Sequence, residues 1–184
     1  MNKRQKYRDL ISQTFDFPQR DFKEEKGNLF WNDLPLTDII AQYGTPLRLT
    51  YLPKISQQIQ KARRLFNSSM ANNNYRGDYH YCYCTKSSHF QFVVEEALKN
   101  KVHIETSSAF DFEILKKMEE KKKVKKDGYV ICNGFKPQRY IDRILEAFNS
   151  GYNIIPVLDH MEELEKYVNP TSPMTIGISI ASEE

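Results

Sequence analysis

The sequence has few of the residues that would build a disulfide framework or a zinc site. Its 184 residues include three cysteines. One residue separates Cys82 from Cys84 and Cys132 stands alone, so there is no Cys-x-x-Cys motif. An odd number of cysteines at this spacing fits reduced thiols better than disulfides or bound zinc. We therefore expect a reducing, cytoplasmic environment, no metal ion, and thiols that serve as small core residues.

Long apolar runs and a strong excess of one charge are also missing. The basic N-terminus, Met1 to Arg8, is not followed by an apolar core of signal-peptide length, and no run is long enough to span a bilayer. With 27 basic and 24 acidic residues, the net charge of +3 is too small and too mixed to indicate nucleic acid. The lysine-rich stretch from Lys116 to Lys126 is interrupted by glutamates, as on a solvated helix face. We expect a soluble protein with no membrane or nucleic-acid partner.

What the sequence does contain is a regular alternation of β-rich runs with segments of helical period, beginning at Pro46. This alternation is typical of a parallel sheet with crossover helices. Before it, residues 1–45 read as a lead-in segment with a lone strand over 28–31 and a short helix over 37–42. The six strands predicted in the βα domain, residues 46–184, cover 47–51, 78–85, 102–106, 128–133, 153–158 and 174–181.

The number of strands limits the possible architectures. A closed (β/α)₈ barrel needs eight strands and typically about 250 residues. An open, doubly wound sheet is the alternative, but the sixth predicted strand would then expose an apolar face with no helix to cover it. We therefore expect an α/β fold that forms part of a (β/α)₈ barrel, about six βα units, and we expect the chain to be a fragment.

Lys86 is the first candidate for chemistry. Three tyrosines alternate with His80, Cys82 and Cys84 along the strand before it, so Lys86 falls on the face of compact side chains that suits a barrel lumen. An amine at the carboxyl end of a barrel strand lies where this fold places its chemistry, and a desolvated amine is suited to Schiff-base formation. The alternative is a lysine that simply extends into solvent from a strand end.

Glu105 is the second candidate, because it ends the next predicted strand. Adjacent parallel strands lie about 5 Å apart, so its carboxylate would lie beside Lys86, unless it is an ordinary solvated residue. The pattern Ser88-x-x-Gln91 predicts a capping box that starts a helix close to the amine. In the same way, Ser108-x-x-Asp111 predicts a cap after Glu105.

Five sequence elements occur in an order that resembles one family. They are Tyr43-Gly44-Thr45-Pro46-Leu47, Lys86, Glu105-x-x-Ser108, Asn133-Gly134-Phe135-Lys136 and Asp159-His160-Met161-Glu162-Glu163-Leu164. In this order, from about Phe30 onward, the chain resembles the alanine-racemase-fold, pyridoxal-phosphate-dependent decarboxylases of diaminopimelate, ornithine and arginine. Within that family it is most similar to bacterial arginine decarboxylases. Five elements in order are more specific than any one of them.

The resemblance implies a cofactor, a substrate and an assembly. Lys86 would hold pyridoxal 5'-phosphate through a Schiff base, and Glu105 would line the cofactor pocket. The complete protein would be a cytoplasmic homodimeric lyase that decarboxylates a small basic amino acid, with arginine to agmatine, a step of polyamine biosynthesis, as the favoured reaction. The alternatives are a diaminopimelate or ornithine decarboxylase, a barrel that carries the cofactor without catalysis, and an inactive truncated form.

The resemblance also implies that this chain does not hold the whole site. The family's ring-stacking histidine, glycine-rich phosphate loop and C-terminal β domain lie downstream of the region matched here. We therefore expect the 184-residue chain by itself to be inactive. Relatives tend to carry an arginine in the sixth strand where this chain has Ser179, so a partner for Glu105 would be missing.

Overall fold

In this computed structural model the described residues are 21–168 and 173–180. They fall into two compact units, with the division between Thr50 and Tyr51. The basic segment from Met1 to Arg8 and Ala181, the end of the last predicted strand, lie outside the described residues. Within the described ranges, no helix combines the length and the apolar character needed to cross a bilayer.

The first unit contains a small antiparallel sheet followed by a helix. The sheet has three strands in the order β1-β2-β3. Its two turns, Lys26-Gly27 and Asn32-Asp33, have positive φ at both residues, as two-residue type I′ hairpin turns require. The predicted strand and helix are therefore present, but the strand has two neighbours that the sequence analysis missed. The elements are β1 (Phe22–Glu25), β2 (Asn28–Trp31), β3 (Leu34–Pro35) and α1 (Leu36–Tyr43).

The second unit is an α/β structure with a parallel sheet, as predicted. Its five strands follow one another across the sheet in chain order, β4-β5-β6-β7-β8, and each adjacent pair is parallel. The strands are β4 (Cys82–Cys84), β5 (His103–Thr106), β6 (Tyr129–Cys132), β7 (Asn153–Leu158) and β8 (Gly177–Ile178). The helices are α2 (Leu52–Asn72), α3 (Gln91–Leu98), α4 (Asp111–Glu120), α5 (Gln138–Asn149) and a 3₁₀ helix (Met161–Lys166).

The prediction of six strands was wrong in its first member. Residues 47–51 pair with neither described sheet, and an extended segment is stable as a strand only when a neighbour satisfies its backbone groups. The predicted strands at 78–85 and 174–181 are shortened to β4 and β8, while the three between them match β5, β6 and β7. The parallel direction of the central strands follows the prediction.

The core lies between one face of the sheet and the helices. Alternate strand residues such as Ile104, Val130 and Ile154 are buried against apolar side chains of α4 and α5. Helix α5 begins after Pro137 and is followed by Gly151, whose φ of +86° is the left-handed conformation typical of helix ends. The helix residues buried in this cluster are Phe112, Leu115, Tyr140, Ile141, Ile144 and Ala147.

The other face of the sheet is half-buried. Because successive strand residues point to opposite faces, His103 and Glu105 of β5 share this face with Ile131, the registered neighbour of Glu105 on β6. On β4 the tyrosines point to the helices, since Tyr81 and Tyr83 pack against the cluster around Ile59 of α2 and Ala97 of α3. The predicted sorting of the two faces of β4 is therefore confirmed, and the candidate residue Glu105 lies on the half-buried face.

Candidate active site

Lys86 lies in the turn that follows β4, next to the end of β5. The turn is anchored by Thr85, whose backbone N–H and hydroxyl both donate to the carbonyl oxygen of Glu105, at 3.0 and 3.1 Å. Ser87 N–H then donates to Cys84 O at 3.2 Å. With the backbone held in this way, Lys86 Nζ lies 4.0 Å from Glu105 Oε1. The predicted neighbourhood of the two residues is therefore present.

Lys86 is not desolvated, which corrects the sequence-based expectation. Its side chain is 64% exposed, whereas that of Glu105 is 22% exposed. The physical reason is the position of β4 at the edge of the five-stranded sheet, where β5 is its single neighbour among the described strands. An amine leaving such an edge has protein on one side and water on the other.

Glu105 gathers donors from two neighbouring strands onto one carboxylate oxygen. Oε1 accepts from Cys84 Sγ at 3.5 Å and from Asn133 Nδ2 at 3.3 Å. Burial raises the pKa of the Cys84 thiol, and the charge and hydrogen bond of Glu105 raise it further, although the backbone of Lys86 opposes this effect. Cys84 therefore remains a protonated thiol that donates to the carboxylate.

The segment after β6 supplies Asn133, the first residue of the Asn133-Gly134-Phe135-Lys136 element. Its Oδ1 accepts from the Gly134 backbone N–H at 2.8 Å while its Nδ2 points at Glu105. Gly134 has a φ of +76°, a conformation that favours glycine. The signal in the sequence was the Asn-Gly pair at a strand end, and only the contact with Glu105 gives it a role in the site.

Lys136 and Glu163 form a buried ion pair close behind this segment. Lys136 Nζ lies 3.0 Å from Glu163 Oε2, and the two side chains are 0% and 11% exposed. The ammonium also donates to Gly134 O at 2.9 Å and to Val157 O. Glu163 Oε2 accepts in addition from the Asp159 backbone N–H at 3.4 Å. The pair thus joins the carboxyl ends of β6 and β7 to the 3₁₀ helix.

The predicted capping box after Lys86 does not form. Helix α3 begins at Gln91, and no side chain caps it. Ser88 is kept outside the helix because its carbonyl oxygen accepts from Tyr83 Oη at 2.8 Å, and Gln91 Nε2 donates to Glu95 instead. A hydrogen bond from β4 to the turn replaces the predicted cap, so the helix start lies farther from Lys86 than predicted.

The second predicted cap does not form as a helix cap either: α4 begins at Asp111 with no side-chain cap, and Asp111 instead accepts bonds from the loop before it. Asp111 Oδ2 accepts from the backbone N–H groups of Ser107 and Ser108 at 2.8 and 2.9 Å, and from Ser108 Oγ at 3.2 Å. These bonds close the loop between β5 and α4 and hold the backbone that follows Glu105.

The three cysteines are free thiols in different surroundings. Cys132 is fully buried in the helix-facing core, where burial raises its pKa to about 11, so it is the small core residue that was predicted. Cys82 and Cys84 are half-buried on the opposite face, and the core role predicted for them is wrong. Residues of a strand alternate between the two faces of the sheet, and Cys132 of β6 faces the helices whereas Cys82 and Cys84 of β4 face the other side.

A cavity of about 330 Å³ lies at the amino-terminal edge of the sheet, not at Lys86. It opens around the first residues of β5 and β6, including His103 and Tyr129. Lys86 and Glu105 lie at the carboxyl edge, which is the edge where ligands bind in open α/β sheets and in barrels. We therefore take the carboxyl edge as the candidate site.

Comparison with known proteins gives relatives that share one name. No protein-family model matches the chain. A biosynthetic arginine decarboxylase of Prochlorococcus marinus is 24% identical over 150 residues, which are 78% of this chain and 23% of that protein. Arginine decarboxylase 1A, chloroplastic, of Nicotiana tabacum is 26% identical over 139 residues, 71% of this chain and 18% of that protein. The chain thus spans about a fifth of the length of the relatives it matches.

Two solved structures show the same fold. The biosynthetic arginine decarboxylase of Campylobacter jejuni matches 86% of this chain and 28% of its own, with a TM-score of 0.67 and 21% identity. The chain therefore shares the fold of this protein over the matched part. The diaminopimelate decarboxylase of M. jannaschii, solved with L-lysine, matches 80% of this chain and 32% of its own, with a TM-score of 0.65 and 16% identity. The resemblance to these decarboxylases that the motifs predicted is confirmed.

Proposed function

We propose that the chain is the cofactor-lysine portion of a pyridoxal-phosphate-dependent decarboxylase that converts arginine to agmatine. The observation that carries the proposal is the pair at the carboxyl edge, with Lys86 Nζ 4.0 Å from Glu105 Oε1 at the ends of adjacent parallel strands. The arginine decarboxylase relatives match this region of the chain at 24% and 26% identity. The names of these relatives support arginine decarboxylation as the reaction.

The residues present fit the cofactor. A primary amine that condenses with an aldehyde must be accessible, and Lys86 Nζ is reached from solvent while its backbone is fixed to β5. Lys86 would hold pyridoxal phosphate through Nζ, and Glu105 would lie beside the bond. When bound, the cofactor supplies the electron sink that accepts the electron pair released as the substrate carboxylate leaves as CO₂.

The chain's own residues prepare the amine. An ammonium must lose a proton before its nitrogen can act as a nucleophile, and Glu105 Oε1 is the carboxylate oxygen within 4.0 Å that can take this proton. The hydrogen bonds from Cys84 and Asn133 keep that oxygen oriented toward Lys86. The same carboxylate can return a proton to Nζ when the amine is released.

Arginine is favoured over diaminopimelate by the sequence relatives rather than by the fold. The two solved neighbours have nearly equal TM-scores, 0.67 and 0.65, so the backbone does not distinguish the substrates. The sequence matches that carry the name arginine decarboxylase come from organisms as distant as Prochlorococcus marinus and Nicotiana tabacum. Because relatives from such different organisms share this name, we favour arginine as the substrate.

The assembly in which the reaction takes place is part of the proposal. We place the five parallel strands and their helices within a (β/α)₈ barrel that further units of a longer protein complete. The half-buried face of the sheet is then the barrel lumen. The complete protein is a cytoplasmic homodimer whose active sites take residues from outside the region described here.

The proposal is tested by reaction of the chain with pyridoxal phosphate at substoichiometric concentration, followed by borohydride reduction and peptide mass spectrometry. We expect Lys86 to carry the label in preference to the exposed lysines of the stretch Lys116 to Lys126, and Lys86→Arg to lose it. Equal labelling of all exposed lysines would contradict the proposal.

The substrate is tested in a chimera in which residues 30–180 replace the matched segment of the Campylobacter jejuni enzyme. Agmatine formation from arginine is the expected result, and it should disappear in the Lys86→Ala chimera. A folded chimera that binds the cofactor but decarboxylates diaminopimelate instead of arginine would move the assignment to that substrate.

A further inference from the structure

The side-chain amide of Asn133 forms a hydrogen bond at its nitrogen and another at its oxygen. Together they connect Glu105 to the segment after β6. Nδ2 donates to Glu105 Oε1 at 3.3 Å, and Oδ1 accepts from the Gly134 backbone N–H at 2.8 Å. Since a backbone N–H can only donate, the amide oxygen must face Gly134 and the amide nitrogen must face Glu105. The backbone, rather than the carboxylate, therefore sets the orientation of the amide.

That backbone is held in turn by Lys136. Its ammonium has three donors, and these meet three acceptors: Gly134 O, Val157 O and Glu163 Oε2. The side chain is fully buried, so an unpaired ammonium would be costly in this place. Lys136 cannot leave its position without losing all three contacts, and Gly134 O is fixed as a result.

We infer that Asn133 is a positioning residue for Glu105, and that the buried Lys136–Glu163 ion pair fixes the segment from which Asn133 works. The path of contacts joins the ends of β5, β6 and β7 and finishes beside Lys86. The inference rests on the proposed function for the role of Lys86. A purely structural role for Asn133, as an Asx turn that closes the strand end, is the competing explanation.

The first test needs no cofactor and follows the side-chain amide of Asn133 by ¹⁵N–¹H NMR in the 184-residue chain. If Nδ2 donates to the Glu105 carboxylate, its signals shift when acid protonates that carboxylate. The same signals should not shift in Glu105→Gln. Signals that move equally in both proteins, or in neither, would overturn the inference.

The second test uses the rate of Lys86 labelling by pyridoxal phosphate and borohydride. We expect Asn133→Ala and Glu105→Gln each to lower this rate by about two- to fivefold, the range of a weak, partly exposed ion pair. The double variant should be no slower than the slower single variant, because both changes remove one contact. Additive losses of labelling rate in the double variant would favour the structural explanation. The matched control is Asn149→Ala, at an exposed asparagine near a helix end.

The third test examines the ion pair. Lys136→Met should move the Asn133 amide signals and lower Lys86 labelling, whereas Lys125→Met, at an exposed lysine, should do neither. If Lys136→Met does not fold, Glu163→Gln replaces it, since this change removes the charge and keeps an acceptor. Unchanged Asn133 signals in a folded variant would remove the ion pair from the inference.

The two proposals fail in different ways. If Lys86 of the wild-type chain is not labelled selectively, the proposed function is contradicted, and the pH shift of the Asn133 amide still decides the positioning role. If Lys86 is labelled but Asn133→Ala labels at the wild-type rate, the function stands and the positioning role is refuted.

Discussion

Lys86 Nζ lies 4.0 Å from Glu105 Oε1, and this pair joins an exposed side chain to a mostly buried one. Water screens the exposed partner, so the contact contributes little to stability. Its importance is positional, because Thr85 ties the lysine's backbone to the backbone of Glu105 itself. The amine and its nearest carboxylate are thereby fixed to the same strand end.

Replacement of Glu105 should therefore affect the reactivity of Lys86 more than the stability of the chain. In Glu105→Gln we expect labelling of Lys86 by pyridoxal phosphate to slow by about two- to fivefold, with a urea midpoint close to that of the wild type. Quantitative peptide mass spectrometry measures the first and circular dichroism the second. Glu120→Gln, at an exposed helix end, should change neither, and a Glu105→Gln chain that labels normally would argue against a shared site.

Lys136 and Glu163 should be mutually dependent. Lys136→Met leaves Glu163 with a mostly buried, uncompensated charge, and we expect a loss of about 3–5 kcal/mol in the free energy of unfolding. A double variant, Lys136→Met with Glu163→Leu, should lose less than Lys136→Met alone, because no charge is then left unpaired. Urea titrations of the two proteins measure the difference. A double variant that is less stable than the single one would contradict this account.

His103 should make the stability of the fold depend on pH. Burial lowers the pKa of His103, and the nearby His80 and Arg63 lower it further, while Asp127 opposes them. Its Nδ1 accepts from the Tyr129 backbone N–H at 2.9 Å, which the imidazolium form cannot do. The unfolded chain therefore binds a proton at higher pH than the folded chain, and stability falls as the pH drops below about 6.5.

The measurement for His103 is the urea midpoint at pH 7 and at pH 5.5. The wild type should be less stable at the lower pH, and His103→Gln, which keeps an acceptor and cannot be charged, should lose most of this dependence. Carboxylates with lowered pKa values, such as Glu119, act below about pH 4.5 and lie outside this window. His89→Gln, at an exposed histidine, should keep the wild-type slope.

Tyr140 carries a buried hydrogen bond within the helix-facing core. Its hydroxyl lies 2.8 Å from Thr106 Oγ1, and burial raises its pKa well above the usual range, so it stays neutral. Tyr140→Phe should cost about 1 kcal/mol of unfolding free energy, the typical net contribution of one such bond. Adding Thr106→Val should cost less than the sum of the two single changes. Tyr75→Phe, at an exposed tyrosine, should be neutral.

The 184-residue chain alone should not decarboxylate arginine. It spans 23% and 18% of the two relatives described above, and the family resemblance places the groups that grip the cofactor phosphate elsewhere. Release of ¹⁴CO₂ from carboxyl-labelled arginine should therefore stay at the level of the buffer control with pyridoxal phosphate present. Turnover that depends on Lys86 would show that the chain needs no further residues.

Particular residues show which parts of the fold could be predicted from the sequence. The alternation of apolar positions predicted β5, β6 and β7 and the helices between them, because this pattern is local and is reinforced by every residue of an element. Residues 47–51 and the Ser88 capping box were predicted wrongly for the same reason: each depends on a partner that local pattern does not specify. Residues 47–51 lack a neighbouring strand among the described residues. The carbonyl oxygen of Ser88 accepts a hydrogen bond from Tyr83 Oη, which keeps Ser88 outside the helix.

The sequence by itself determined the α/β class, the face on which Glu105 lies, and the order of Lys86 and Glu105 at adjacent strand ends, because a strand's alternation and a parallel sheet's direction follow from the chain. The tertiary structure alone decided how exposed Lys86 is and that Asn133, Lys136 and Glu163 belong to the same network. Those contacts join segments far apart in the chain. Their geometry is set by packing across the sheet. No repeating pattern of residues along the sequence reports on that packing.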